Sequence, residues 1–412
     1  MTTTQSTTAR FASASVLVLA LTTGLTATNM AALGAFIPTI SDDLNVSVPL
    51  LGQVTTAVFV LGAGFSLFAG PLADHIGKRR VILIGLATLV VSAAGTALAP
   101  TYGWLLATRL ISAFSGGAVI GSALAIAGAT FSGDERRRAI SWISTGTASA
   151  ATAGVPLMAL LASVASWRFA YWVVAGLGLL WVLCIRRLVP DDATHNQQPF
   201  RAQQILSAYR PLVGARPMLR LYLASLLRAI CWIGVLTYAG AFFSDEFGMS
   251  TREIGWAYMA GGAAYFLGTK LSGGSLGGLT PRNAFALATA AMGGLLSLCL
   301  LLPIDPFFSL ALLSVAAIAG GAAWVLLVTL LATETPAGQG TTMALNAAAF
   351  ALGSALGGGF GGGLLALGGY PALALGLTGF AFAATALVWL PSTALVPRRA
   401  ARQVERKGGA MN

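Results

Sequence analysis

Charge is scarce in this sequence. Only 9% of its 412 residues are Asp, Glu, Lys or Arg, against roughly 25% in soluble globular domains, which excludes a water-soluble fold. Acids are scarcer than bases, 13 Asp and Glu against 24 Lys and Arg, and every acid falls in a predicted loop or at a helix end. Histidine occurs twice, at His75 and His195, in neither case within an apolar segment. No His/Asp or His/Glu pair can be built there, which counts against a membrane enzyme. The three cysteines, Cys184, Cys231 and Cys299, all lie in apolar segments and imply no disulfide framework. No P-loop is present to drive an ATP motor, and no sizeable soluble domain is present to carry a signal.

What remains is apolar: 56% of residues are hydrophobic and mean hydropathy is +0.80. Uncharged runs extend over Phe11 to Ser41, Leu44 to Ala73, Val81 to Thr108, Ala139 to Trp167 and Thr335 to Pro397. Each can supply a span of roughly 20 residues, and the last can supply two. Backbone groups in lipid are satisfied only in helices or closed barrels. Period-2 alternation is absent, so the sequence predicts an all-α polytopic membrane protein. Twelve helices are expected at 14–39, 49–73, 80–99, 103–129, 139–163, 167–187, 218–243, 252–275, 283–302, 307–332, 341–366 and 371–391.

Alternate connections then face opposite sides. One side collects Lys78, Arg79, Arg80, Arg136, Arg137, Arg138, Arg186, Arg187, Arg282 and the basic tail; the other holds Asp42, Asp43, Asp245, Glu246 and Asp305 with only Arg168 and Arg252. A net charge of +11 would suggest nucleic acid in a soluble chain. Here it follows the positive-inside pattern, so no nucleic-acid partner is expected and both termini are expected in the cytoplasm.

The chain also repeats itself. "DDLNVS" (42–47) matches "DEFGMS" (245–250) at an offset of 203; "GPLADHIGKR" (70–79) matches "GSLGGLTPRN" (274–283) at 204. "SGGA" (115–118) matches "AGGA" (319–322), and Gly154 matches Gly358, again at 204. Two copies of a six-helix unit are implied, related by an axis along the membrane normal, with a cavity between them. The expected division is an N-terminal bundle over 1–190, a cytoplasmic linker over 191–216, and a C-terminal bundle with its tail over 217–412.

Between the second and third helices, "GPLADHIGKRR" (70–80) resembles a signature of the major facilitator superfamily, with Gly70, Leu72, Ala73, Asp74, Gly77, Lys78 and Arg79 in register. "RLISAFSGG" (109–117) resembles the fourth-helix Arg motif of that family, with Ala113 where Gly is usual. "AGVPLMALLASVASWRFAYW" (153–172) resembles the fifth-helix motif of its drug–proton antiporter branch. The resemblance implies the major facilitator fold: twelve transmembrane helices in two pseudo-symmetric six-helix bundles. It further implies a gate in which Asp74 latches the halves on the inner side near Thr341 and Thr342, and a bend at Gly154 and Pro156 associated with export. Met158 and Ala159 replace the small residues that often follow the Pro.

Ionisable groups within spans are functional candidates by default, and here they are cations: Arg109 in the fourth helix and Arg228 in the seventh. Arg228 has a competing reading in which it snorkels inward, and Lys270 is expected to snorkel. The branch resemblance aligns Asn29 with a carboxylate that exchanges protons in relatives; Asn cannot do so. Other coupling candidates are Asp42, Asp43, Asp245, Glu246 and Asp74. The cavity is expected to include Asn29, Gln53, Arg109, Arg228, Trp232 and Asn346, because an amide facing lipid is costly and cations without anions favour neutral or anionic solutes. Trp142, Trp256 and Trp324 read as belt or packing residues. "GGGFGGG" (357–363) reads as a tight helix contact.

The expected function is secondary active transport of a small organic solute by alternating access, not enzymatic catalysis. Export of a drug or metabolite is expected, with no cofactor or metal and the proton gradient as energy source. The competing readings are an uptake permease or uniporter for a neutral or anionic metabolite, and a membrane enzyme. Arg-over-Lys bias and Ala richness suggest a bacterial gene and a multi-pass inner-membrane protein. It should act as a monomer, with lipid and the solute as its partners.

Overall fold

The computed structural model describes the backbone of residues 2–131, 133–189, 210–212, 214–272, 278–335 and 339–389. Within these, the side chains of 2–13, 70, 71, 74, 128, 129, 133, 134, 136, 137, 148, 151, 339 and 340 lie outside the description. Among the described residues every long element is a helix: α1 (Thr2–Leu44), α2 (Val48–Ile76), α3 (Lys78–Ala97), α4 (Tyr102–Thr130), α5 (Gly133–Ser149), α6 (Val155–Val164), α7 (Trp167–Leu188), α8 (Arg216–Phe247), α9 (Thr251–Leu271), α10 (Pro281–Leu301), α11 (Pro306–Glu334) and α12 (Gln339–Trp389). Nine are long and apolar enough to cross a membrane, or ten if the bent α5–α6 pair is one span.

Polar residues expected in loops start these helices. Thr101, Ser166 and Thr280 accept from the backbone N–H groups of Trp104, Phe169 and Asn283, and Asp305 accepts from Phe307 and Phe308. Ser250 and Glu253 form a reciprocal capping box on α9. Each such cap contributes about 0.5–2 kcal/mol.

A predicted bend and a predicted break are both present. The fifth helix, predicted over 139–163 with a bend at Gly154 and Pro156, is α5, a π-helical turn at Ala150–Gly154, and α6, with a 47° bend. Pro156 follows that turn and cannot donate a backbone hydrogen bond, so the ladder is interrupted where the bend falls. The two helices predicted over 341–366 and 371–391 are present as the two limbs of α12, which part at a kink in the predicted gap. Only Gly368 and Gly369 leave helical geometry, Gly369 with φ 63° and ψ −157°, a backbone region that an L side chain cannot occupy cheaply. The predicted linker over 191–216 falls mostly outside the described residues.

The repeat is visible in the backbone. Asn45 ends α1 with φ 53° and Gly248 ends α8 with φ 64°, the same left-handed cap at an offset of 203. Helix pairing repeats as well: α1 on α5, α2 on α4, α3 on α4 and α3 on α7 correspond to α8 on α12, α9 on α11, α10 on α11 and α10 on α12. The match fails at the signature. Asp74 lies on helix α2, whereas its counterpart Gly278 lies in a connection after α9 has ended, with φ 83°.

Lipid tails are as apolar as leucine, so close packing of small residues, not water exclusion, holds such helices together. A Cβ on Gly146 would overlap the Ala20 carbonyl of α1, and one on Gly353 would overlap the Leu226 carbonyl of α8. Charges separate to the two ends. The basic end carries Arg79, which donates to the Arg186 carbonyl, and the Arg282–Glu334 ion pair. The opposite, acidic end carries the Arg168–Asp43 ion pair and the bond from Tyr370 to Asp245.

Candidate functional site

The two halves meet along a seam lined with glycine. Between α1 and α8, a Cβ on Gly240 would fall 2.5 Å from the Gly34 carbonyl oxygen. The hydroxyls of Thr39 and Thr251 are 2.8 Å apart across the halves. Between α2 and α12, Gln53 Nε2 donates to the Gly359 carbonyl at 3.4 Å. The Tyr238 hydroxyl of α8 donates to the Gly358 carbonyl at 2.7 Å and occupies the space that a Cβ on Gly52 would need. Between α6 and α9, Gly255 accommodates Ala159, with Pro156 close by. All these contacts lie toward the acidic end. The "GGGFGGG" stretch thus packs tightly, as its composition suggests.

Arg109 is 1% exposed and lies in the first half. Its Nη1 donates to Asn29 Oδ1 at 3.1 Å and its Nη2 to the Asn29 carbonyl at 2.7 Å. Its guanidinium carbon lies 5.6 Å from the centroid of the Tyr171 ring. Adjacent Thr28 fills the place of a side chain on Gly154, so the bend motif packs on the residue next to the acceptor of Arg109. Pro156, two residues on, borders α9 of the other half.

Arg228 in the second half is the opposite case. It is 0% exposed, which excludes the snorkelling alternative, and none of its three guanidinium nitrogens has an acceptor in good hydrogen-bond geometry among the described residues. Its guanidinium carbon lies 5.3 Å from the Trp324 ring and 5.9 Å from the Phe350 ring. Trp232 stacks on Tyr265 at 5.4 Å and 28°. The Tyr265 hydroxyl lies near enough to the guanidinium to interact with it electrostatically and by a weak hydrogen bond, though not in good hydrogen-bond geometry. A cation over a ring gains about 2 kcal/mol when desolvated, whereas each buried donor left unmet costs about 1–3 kcal/mol. The rings offset only part of that cost. Arg109 has acceptors on two of its three nitrogens; Arg228 has none in good hydrogen-bond geometry among the described residues.

The other predicted site residues separate accordingly. Gln53 joins the seam. Asn346, 3% exposed, accepts from Ser225 at 2.7 Å inside the second half, one turn from Phe350. Gly70, Leu72 and Asp74 lie on the last turns of α2; the side chains of Gly70 and Asp74 lie outside the described residues. Leu72 packs beside Ala73, Val81 and Ala118. Gly77, with φ 97°, is the single residue between α2 and α3, a turn only glycine makes without strain. Lys78 and Arg79 begin α3. Lys270 is exposed and lies over Phe266. Trp324, read as belt or packing from sequence, instead faces Arg228. Phe350, Tyr265 and Tyr171 were not singled out, because nothing in one-dimensional spacing links rings on different helices to a particular arginine. Among the described residues no three His, Cys, Asp or Glu side chains gather as metal ligands.

A bundle of apolar helices with repeated pairing, a glycine seam and buried cations defines a polytopic transporter fold, and the sequence profile of the Major Facilitator Superfamily matches residues 19–302 and 221–410. The chain belongs to that superfamily. It is 26% identical over 251 residues to the uncharacterized MFS-type transporter YtbD of Bacillus subtilis, covering 61% of each chain. It is 28% identical over 267 residues to a chloramphenicol resistance protein of Streptomyces lividans, covering 62% of this chain and 64% of that one. With the inner membrane transport protein YdhP of Escherichia coli O157:H7 it shares 25% identity over 367 residues, covering 84% and 87%. The chain thus spans less than two thirds of the length of the first curated relatives it matches.

Solved structures give the same fold. The human organic anion transporter MFSD10 (TETRAN) superposes with a TM-score of 0.66 at 18% identity, covering 91% of this chain and 98% of that chain. A bacterial homolog of the human lysosomal transporter Spinster, inward-facing and unoccupied, gives 0.68 at 16% identity, covering 92% and 95%.

Proposed function

We propose that this chain is a secondary active transporter that exports a small organic solute by alternating access, with proton antiport as its energy source. The observation that carries the reading is the seam. The halves touch at the acidic end through glycine-backed contacts that can part without breaking either bundle's own packing. The bend at Gly154 and Pro156 touches both Thr28, beside the Arg109–Asn29 bond, and α9 of the other half, so separation of the halves would be felt at that bond.

In this reading the division into 1–190, 191–216 and 217–412 holds, and counting α9, the two limbs of α12 and the α5–α6 pair gives twelve spans. The basic end faces the cytoplasm of a bacterial inner membrane with both termini inside. Closure at the acidic end then corresponds to an inward-facing state, the conformation named for the Spinster homolog. Asp74 is the latch toward Thr341 in the alternate state. The monomer works in lipid without cofactor, metal, nucleic acid or covalent chemistry. The similarity to a chloramphenicol resistance protein supports export. A second reading, an uptake permease or uniporter for a neutral or anionic metabolite, is favoured by one observation: Arg109 binds an amide at Asn29, not an acid.

Flux into inside-out vesicles under an imposed pH gradient separates these readings. Uptake driven by interior acidification supports proton-coupled export. Flux indifferent to the gradient supports the uniporter and overturns antiport.

A further inference from the structure

Resting on the transporter reading, the geometry points to Arg228 and the aromatic rings around it as the recognition site for an amphiphilic organic anion, a carboxylate joined to a planar apolar ring. Three lines converge. First, the guanidinium is fully buried and, among the described residues, none of its three nitrogens has an acceptor in good hydrogen-bond geometry, the Tyr265 hydroxyl being a neutral neighbour only. A planar carboxylate is what its fork of donors fits. Second, what surrounds it is aromatic: Trp324 and Phe350 lie over the cation, and Trp232 and Tyr265 stack beside it. Trp324, Phe350 and Tyr265 are only half-buried, whereas the charge beside them is fully buried.

Third, the fold does not require this cation. The offset of 204 that pairs Gly154 with Gly358 places Gly24 opposite Arg228 and Gly146 opposite Phe350. In the first half those two glycines bring α1 and α5 into backbone contact: a Cβ on Gly24 would fall 2.8 Å from the Gly146 oxygen. The second half places a long cation and a ring where the first closes the same helix pair with nothing. Arg109 shows how this chain treats a structural arginine, by giving it two acceptors.

A run of buried polar groups leads from the basic end to this site. Tyr222 reaches the Thr342 carbonyl at 3.5 Å and Ser225 bonds Asn346 at 2.7 Å, in successive turns of α8 and α12 below Arg228. An anion entering there would meet polar partners before the guanidinium.

The test is equilibrium binding of radiolabelled 2-naphthoate, 2-naphthamide and 2-naphthylmethylammonium to the full chain in lipid nanodiscs. The expected order in the unmodified protein is naphthoate at least tenfold tighter than the amide, with the ammonium weakest. Arg228→Gln should weaken naphthoate at least tenfold and leave the amide within twofold, while Trp324→Leu should weaken both several-fold. Equal affinity for acid and amide in the unmodified protein, or no saturable naphthoate binding, overturns the assignment without any variant being needed. An Arg228→Gln protein that melts like the parent and retains its naphthoate affinity overturns it as well. Because binding is read without flux, a chain that binds naphthoate by these rules yet moves no solute would refute the transporter reading and leave the site standing.

Discussion

Arg109 grips Asn29 twice, once by its side-chain oxygen at 3.1 Å and once by its main-chain carbonyl at 2.7 Å, and so ties α4 to α1 in the middle of the first half. Hydrogen bonds between membrane helices contribute about 0.6 kcal/mol each on average, up to about 1.7. Arg109→Met should therefore lower stability by about 1–3 kcal/mol, read as a lower melting temperature in detergent. Arg109→Lys should recover only part of this, since one ammonium cannot match a fork to two acceptors.

Tyr238 and Gly52 compete for one space. Gly52→Ala must displace the Tyr238 ring or part the halves at the acidic end. The variant should make Cys introduced at Thr39 more reactive to a membrane-impermeant maleimide and slow transport several-fold. Adding Tyr238→Ala should reverse the labelling change.

Asp43 pairs with Arg168 at the acidic end, with each side chain a third or more exposed, and Arg168 also donates to the Ala99 carbonyl and lies over Trp167. Exposed pairs of this kind contribute about 0–1 kcal/mol. Asp43→Asn should cost no more than about 1 kcal/mol and leave gradient-driven flux within about twofold. Loss of gradient dependence would instead make Asp43 the coupling carboxylate.

Gly369 turns the chain between the two limbs of α12 with a positive φ. Gly369→Ala should cost about 1–3 kcal/mol, seen as a lower melting temperature. Gly368→Ala, at φ −155°, lacks that backbone penalty and should be milder, although its Cβ would crowd Ala372.

The sequence made legible what depends on composition and order. Scarce charge required helices in lipid. The division of Lys and Arg from Asp and Glu marked the two ends, and the match of "DDLNVS" with "DEFGMS" marked the repeat, whose left-handed caps at Asn45 and Gly248 only the backbone shows. What it concealed depends on how helices are turned about their axes. Gln53 and Asn346 were chosen for the same reason, yet one faces the other half and the other faces its own. Gly368 and Gly369 fall in the break expected between 366 and 371, but nothing in the sequence showed that two residues suffice for it. The surroundings of Arg228 were the least legible feature, since Trp324, Phe350 and Tyr265 approach it from α11, α12 and α9.

The central claim is that the halves close at the acidic end and must part there for solute to move. The pair Thr39→Cys and Thr251→Cys, in a chain with Cys184, Cys231 and Cys299 replaced, tests it most directly, because the native hydroxyls are 2.8 Å apart. Oxidation should form the disulfide in high yield and stop flux, and reduction should restore it. A cross-linked protein that transports at the rate of the reduced one would contradict the account.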